Sequence, residues 1–320
     1  MSSIRRLIKP LLSVLIVLAT GYFFFRAFRR NWAEVKAHEF HITPVFLLGA
    51  VLAAVATCLL ATFAWYSAMN SLSRGKARID FRQSVAAVNA SGLTKYIPGK
   101  IWSYALQMYW LDGLGFSKAL IVYVNLINLL ISLGTSLILG LLCLLFAHGS
   151  FPLGPVLAAL LALLVLDACS VLFNHALLNG LILLINKLLK RNFSYFEVKK
   201  SLLVKLHLIH FGAGICSGLS AYLFSFAIGY RIDFARALLV IGSSLVADVV
   251  GFLAIIVPGG LGVRETLMYE LLGGASTGTG SLSLVLPVAS RMMNMFVDIA
   301  LGAVALKLLQ SLAAAKRAQA

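Results

Sequence analysis

Long apolar blocks decide what this chain can become. Leu11–Phe25, Pro44–Met69, Ala119–Ala147, Leu153–Phe173, Leu206–Ile228 and Leu282–Leu306 approach or exceed the length of a membrane crossing. A helix needs about 20 consecutive apolar residues to cross a bilayer. Over the 320 residues, 61% are apolar and 12% charged, whereas soluble domains are roughly half apolar and a quarter charged. No soluble core uses that much apolar surface. The first block has no small-residue cleavage site and reads as a span, not a removed signal peptide. The expected fold is an all-α polytopic membrane protein of about six full spans, one integral membrane domain over residues 1–320.

The net charge of +16 does not point to nucleic acid, because the basic residues lie in short loops between spans. That is where cations set orientation and attract anionic lipid. With the N-terminus (Arg5, Arg6, Lys9) in the cytoplasm, Arg74, Lys76, Arg78 and Arg82 also fall inside. Lys187, Lys190, Arg191, Lys199, Lys200 and Lys205 follow, then Lys307, Lys316 and Arg317. The outer side keeps fewer cations: Arg26, Arg29, Arg30, Lys36, Arg231 and Arg236. Both termini are expected in the cytoplasm, and the membrane is expected to be the cell inner membrane.

The chain resembles itself. Ile79-Asp80-Phe81, the small-residue stretch 86–92 and Tyr96-Ile97-Pro98-Gly99-Lys100 form one copy. Ile232-Asp233-Phe234, the small-residue stretch 242–251 and Val257-Pro258-Gly259-Gly260-Leu261-Gly262 form the other. The aspartates are 153 residues apart (233 − 80) and the prolines 160 (258 − 98). Three spans between the copies turn the second upside down, giving inverted repeats over roughly 44–150 and 200–310. Such repeats with interrupted helices are a transporter architecture whose site lies near the midplane.

Each Pro-Gly unit stops a helix, since proline removes a donor and glycine accepts reversal dihedrals. The flanking stretches Ser84–Ile97 and Leu239–Val257 read as too short to cross, so two re-entrant helical hairpins are expected. Broken backbone at that depth must be buried in protein or line a wet cavity. Each restarting helix offers unsatisfied N–H groups to an anion, and Lys100 and Arg264 stand in those first turns. Lys95 precedes the first break. Acids in apolar segments are costly and usually functional or paired: Asp248, Glu265 and Asp298, with Asp167 weaker. Arg264 and Glu265 diverge by about 100° on a helix. Arg291 and Asp298, two turns apart on one face, suit an ion pair.

Other polar features have plain readings. Cys58, Cys143, Cys169 and Cys216 lack metal or redox spacing and read as free thiols. His207 and His210 share a face without a carboxylate or cysteine beside them. No metal and no cofactor are expected. Asn125 and Asn128 suit either a cavity wall or interhelical hydrogen bonds. Gly214-xxx-Gly218 reads as close helix packing. Gly273–Gly280 reads as an outer turn, and Trp32, Trp65, Tyr66, Trp102 and Trp110 as interface anchors.

Through YIPGKIW (Tyr96–Trp102) and PGGLGVRE (Pro258–Glu265), the chain resembles the flippase-like family of the lysylphosphatidylglycerol synthase transmembrane region. That family includes the N-terminal half of the multiple peptide resistance factor. The resemblance implies a bundle with re-entrant hairpins acting on anionic, amino-acylated or polyprenyl-linked lipid. It carries Pro98, Gly99, Lys100, Pro258, Gly259, Gly260, Gly262, Arg264 and Glu265 over as substrate-binding positions. The chain ends at Ala320, so synthase activity is not implied.

The resulting expectation is a lipid translocator, not an enzyme, with the head group at the two hairpin tips. Asp248, Arg291 and Asp298 would serve as an ion pair or in coupling. The alternatives are an accessory membrane protein partnered with a lipid-modifying enzyme and, further off, a polyprenyl-dependent transferase. The transferase has only Glu34, Glu39 and Asp233 as outer-loop acids, without an Asp-x-Asp.

Overall fold

The computed structural model describes residues 41–73, 75, 77–96, 102–112, 114–147, 197–254, 260, 262–273 and 280–318, with single positions at 29, 157 and 161. Among them the regular structure is helical. Four helices, α1 (Pro44–Leu72), α2 (Phe81–Gly92), α3 (Trp102–Asp112) and α4 (Lys118–Phe146), form a first set, with a 3-10 turn (Leu93–Tyr96) after α2. A second set comprises α5 (Lys200–Ala227), α6 (Phe234–Leu253), α7 (Val263–Leu271) and α8 (Gly280–Ala318). Helices α1, α4, α5, α6 and the Leu282–Ser311 part of α8 are long and apolar enough to cross a membrane. The blocks expected at 11–25 and 153–173 lie outside the described residues, apart from positions 157 and 161.

Both Ile-Asp-Phe markers are helix starts. Asp80 accepts a hydrogen bond from the Gln83 N–H at 2.6 Å, and the Gln83 side chain accepts one from the Asp80 N–H at 3.1 Å. Asp233 accepts from the Arg236 N–H at 2.8 Å. Such caps hold a helix end by about 1 kcal/mol. The second cap corrects one expectation. Hydropathy places the apolar stretch at Leu239, but Asp233 starts α6 six residues earlier, and the helix reaches 20 residues. That is long enough to cross. Helix α2, at 12 residues, stays short.

Helices α1 and α5 pack antiparallel over most of their length. The Thr43 N–H donates to Ala227 O at 2.9 Å at one end, and Leu72 lies beside Leu202 at the other. Small side chains let the backbones approach: Ala50, Ala53, Ala54, Ala64 and Ala68 are all buried. Two cross-links fix the register. Ser220 Oγ donates to Ala50 O at 2.8 Å, and Thr57 Oγ1 donates to Ala213 O at 3.4 Å. Gly214 and Gly218 serve α5's other contacts. A Cβ on Gly214 would touch Leu139 of α4, and one on Gly218 would meet Ile241 of α6 at 2.6 Å.

The remaining helices exchange partners between the two sets: α2 packs on α8, and α6 packs on α4. Asn70, near the end of α1, brackets Ile79 with two hydrogen bonds of 2.9 and 3.0 Å, so α2 enters from that end of the bundle. Helix α6 follows the tight turn after α5, where the Tyr230 N–H donates to Ser225 O at 3.0 Å. Because α1 and α5 are antiparallel, α2 and α6 enter from opposite ends.

Two apolar clusters fill the bundle. Trp65, Met69, Ile121, Val124, Leu203 and Leu206 belong to the cluster at the α2-entry end. Ala50, Phe224, Met268, Leu282 and Leu286 belong to the one at the α6-entry end. Trp65 is therefore a core residue, 3% exposed, and not the interface anchor its type implied. Trp102, half exposed, keeps the exposure an anchor needs.

Candidate functional site

Between the two apolar clusters lies a cavity of about 360 Å³, within the usual size range of small-molecule sites. Its wall includes Ala54, Thr57 and Cys58 of α1 and Ser217 and Ser220 of α5. These α1 residues are halfway along a 29-residue helix, about 20 Å from either end at 1.5 Å per residue. Lys95, Asp248, Arg264, Arg291 and Asp298 also line it. Charge at such depth is expensive unless paired.

The pairing runs between elements. Lys95 Nζ, on the turn after α2, lies 2.6 Å from Asp298 Oδ2 of α8. Arg264 Nε, in the first turn of α7, pairs with Asp248 Oδ1 of α6. Arg291 Nε of α8 lies 3.2 Å from Glu265 Oε1 of α7. Arg264 and Glu265 are neighbours in sequence, yet one reaches α6 and the other α8, as their angular separation on a helix requires. The two-turn spacing pointed to an Arg291–Asp298 pair. The ion pairs in the structure join each of them to a separate element, because α8 is flanked by α7 and by the α2 turn.

The N-terminus of α7 is where an anion was expected. There the Glu265 carboxylate accepts a hydrogen bond from the Gly262 N–H at 2.6 Å. The helix start is thus met by an acid of the chain itself, where the helix dipole favours negative charge. Gly262 (φ +88°) and Gly260 (φ +67°) both take left-handed backbone. A Cβ on Gly260 would collide with Gly251 O. Gly251 in turn packs on Arg264, where a Cβ would lie 2.9 Å from the arginine's own Cβ. Glycines at both positions bring the break against α6 and set Arg264 next to Asp248.

Of the positions singled out in the sequence, Asp248, Arg264, Arg291 and Asp298 share the cavity wall, and Glu265 backs it. Gly260 and Gly262 shape the turn. Pro98, Gly99, Lys100, Pro258, Gly259 and Asp167 lie outside the described residues. Lys95 carries more of the site than its place before the break implied. Its half-exposed side chain is the most accessible of the charged groups. Asn294 also lines the cavity, at the i+3 position from Arg291. It was missed in the sequence, although Arg291, Asn294 and Asp298 fall on one face of α8.

A separate polar network lies beside the cavity. Buried Gln107 of α3 donates to Ser91 Oγ at 3.0 Å, and its carbonyl accepts from Asn125 Nδ2 at 2.7 Å. Gln107 was missed, although a glutamine inside an apolar, aromatic segment is a signal. Asn128 Oδ1 lies 3.1 Å from His210 Nε2, and His207 Nδ1 is 2.8 Å from Leu203 O. The asparagines and histidines thus serve helix contacts. Among the described residues no group of three His, Cys, Asp or Glu is placed to hold a metal. Cys58, Cys143 and Cys216 are free and half-buried.

A bundle of apolar helices closed around a charged cavity at half depth defines a multi-pass membrane protein. The family model of the lysylphosphatidylglycerol synthase TM region matches residues 10–309, and the chain belongs to that family. No curated protein matches the sequence.

Proposed function

We propose that this protein moves a lipid with a phosphate-bearing head group between leaflets, passing the head group through the cavity while the acyl chains stay in the bilayer. The observation that carries the reading is the cavity itself: charged groups gathered beside the midpoint of α1, about 20 Å from either end of that helix, between two apolar clusters. Arg264 supplies a planar donor suited to phosphate, and Lys95 a mobile point charge. The protein would act without chemistry of its own.

The two sets of four helices would form an inverted repeat, with α2–α3 and the turn between α6 and α7 as its interrupted elements. The Asp80 and Asp233 caps, the exchanged packing and the opposite entries of α2 and α6 support this arrangement. The chain would lie in the cell inner membrane with both termini in the cytoplasm, which places the α1–α2 connection inside.

The test is lipid translocation in proteoliposomes, followed by quenching of a head-group-labelled phospholipid from outside. Native protein should expose the inner-leaflet label within minutes, and Arg264→Gln should slow this about tenfold, the effect of losing one charged contact. Native protein no faster than empty liposomes would end the reading. One observation favours a second reading, a non-transporting partner of a lipid-modifying enzyme: each charged group is already paired within the chain, as in an architectural clamp. That reading predicts no translocation by the native protein.

A further inference from the structure

Among the described residues, three bases and three acids meet at the cavity: Lys95 with Asp298, Arg264 with Asp248, and Arg291 with Glu265, which stands behind the wall. A lone anion drawn to these cations would displace carboxylates and leave them uncompensated at membrane depth, an unfavourable state. A head group bearing one phosphate and one ammonium trades like for like. Its phosphate takes the place of a carboxylate on a cation, and its ammonium meets the carboxylate released.

The accessible groups match that exchange. At half depth the most exposed base is Lys95, with 50% of its side chain exposed, and the most exposed acid is Asp248, at 36%. Arg264, Arg291 and Glu265 are all nearly enclosed, at 9%, 10% and 7%. Glu265 is committed to the Gly262 N–H and to Arg291, whereas Arg264 is paired with the more exposed Asp248. Arg264 lies beside Asp248 as its ion-pair partner and borders the cavity, and its planar guanidinium suits a phosphate as well as a carboxylate.

We infer that the head group this cavity recognises is zwitterionic, a phosphate on Arg264 and Lys95 and an ammonium on Asp248 and Asp298, and net neutral. This rests on the translocation reading above and narrows its substrate. It sets phosphatidylethanolamine-type lipids ahead of phosphatidylglycerol and of polyprenyl phosphates, which bring negative charge alone.

The experiment is native mass spectrometry of the purified full chain. It is titrated with phosphatidylethanolamine, the same lipid N-acetylated on its amine, and phosphatidylglycerol of identical acyl chains. Native protein should hold phosphatidylethanolamine about tenfold more tightly than either amine-free lipid, one charged contact's worth. Asp248→Asn, which conserves shape, should bind all three at the amine-free level. Arg264→Gln should weaken all three.

Equal binding of the three lipids by the native protein would overturn the inference, as would a preference for the amine that persists in Asp248→Asn and Asp298→Asn alike. Soluble phosphoethanolamine binding as tightly as the lipid would overturn the lipid assignment. Binding requires no movement across the membrane, so this result is scored separately from the proteoliposome test.

Discussion

Arg291 and Asp298 occupy one face of α8, two turns apart, and tie that helix to two different interruptions of the chain. Arg291 reaches Glu265 at the start of α7, and Asp298 reaches Lys95 after α2. A single helix thus holds both places where the backbone breaks, and substitutions along it should separate structural from functional charge.

The Arg291–Glu265 pair should behave as structure. Glu265→Ala leaves a buried guanidinium without its acid and the Gly262 N–H without its acceptor. The expected loss is about 3–5 kcal/mol, read by unfolding in detergent. Replacing both residues by methionine should recover more than half of it, since removing a buried pair together costs less than breaking it. A double variant no better than Glu265→Ala would show that the cap, not the ion pair, sets the cost.

Two glycines should differ sharply on substitution. Gly260→Ala puts a Cβ on a left-handed residue and into Gly251 O, at a cost above about 2 kcal/mol. Gly302→Ala meets first the Leu93 side chain, at 2.5 Å, which can change rotamer for about 1 kcal/mol. Thermal unfolding of the two variants side by side checks the order.

Gln107 should be worth more than its single position implies. Gln107→Leu leaves Ser91 and Asn125 without their shared partner and should destabilise by about 1–2 kcal/mol. Adding Asn125→Leu should cost less than the sum of the two single changes, because the second polar group is no longer stranded. A fully additive double variant would mean the network is not coupled.

Cys58 offers a direct view of the cavity. It lines the wall at half depth, so in a variant whose other cysteines are serine a small, charged thiol reagent should modify it in intact membranes. Phosphatidylethanolamine in excess should slow that modification. A thiol inert to the reagent until the protein is denatured would mean that water does not reach the cavity.

Much of this was legible from residues alone, and the exceptions have physical causes. The positions of α1, α4, α5 and the apolar part of α8 follow from hydropathy, and the two helix-starting aspartates from their repeated Ile-Asp-Phe setting. The start of α6 did not, because a cap can recruit a polar first turn ahead of the apolar stretch, as Asp233 does with Arg236. Trp65 was misplaced because its type says only that it is large and amphipathic, and packing put it in the core. Partner choice within the site was the least legible part. Spacing on α8 put Arg291 and Asp298 on one face, but which elements lie against that face is a tertiary fact. The charge balance of the cavity followed only once all three partners were in place.

The exchange of partners between the two sets of helices also bears on how the chain is made. Helix α2 is too short to hold itself across a membrane, where about 20 apolar residues are needed, and the helix it packs on most extensively is α8. Of the eight, α8 is synthesised last, about 190 residues later (280 − 92). Until then α2 has only its smaller contacts with α1 and α3. A nascent chain halted before α8 should therefore leave α2 at the membrane surface, open to proteases and quality control, and the bundle should close in one late step.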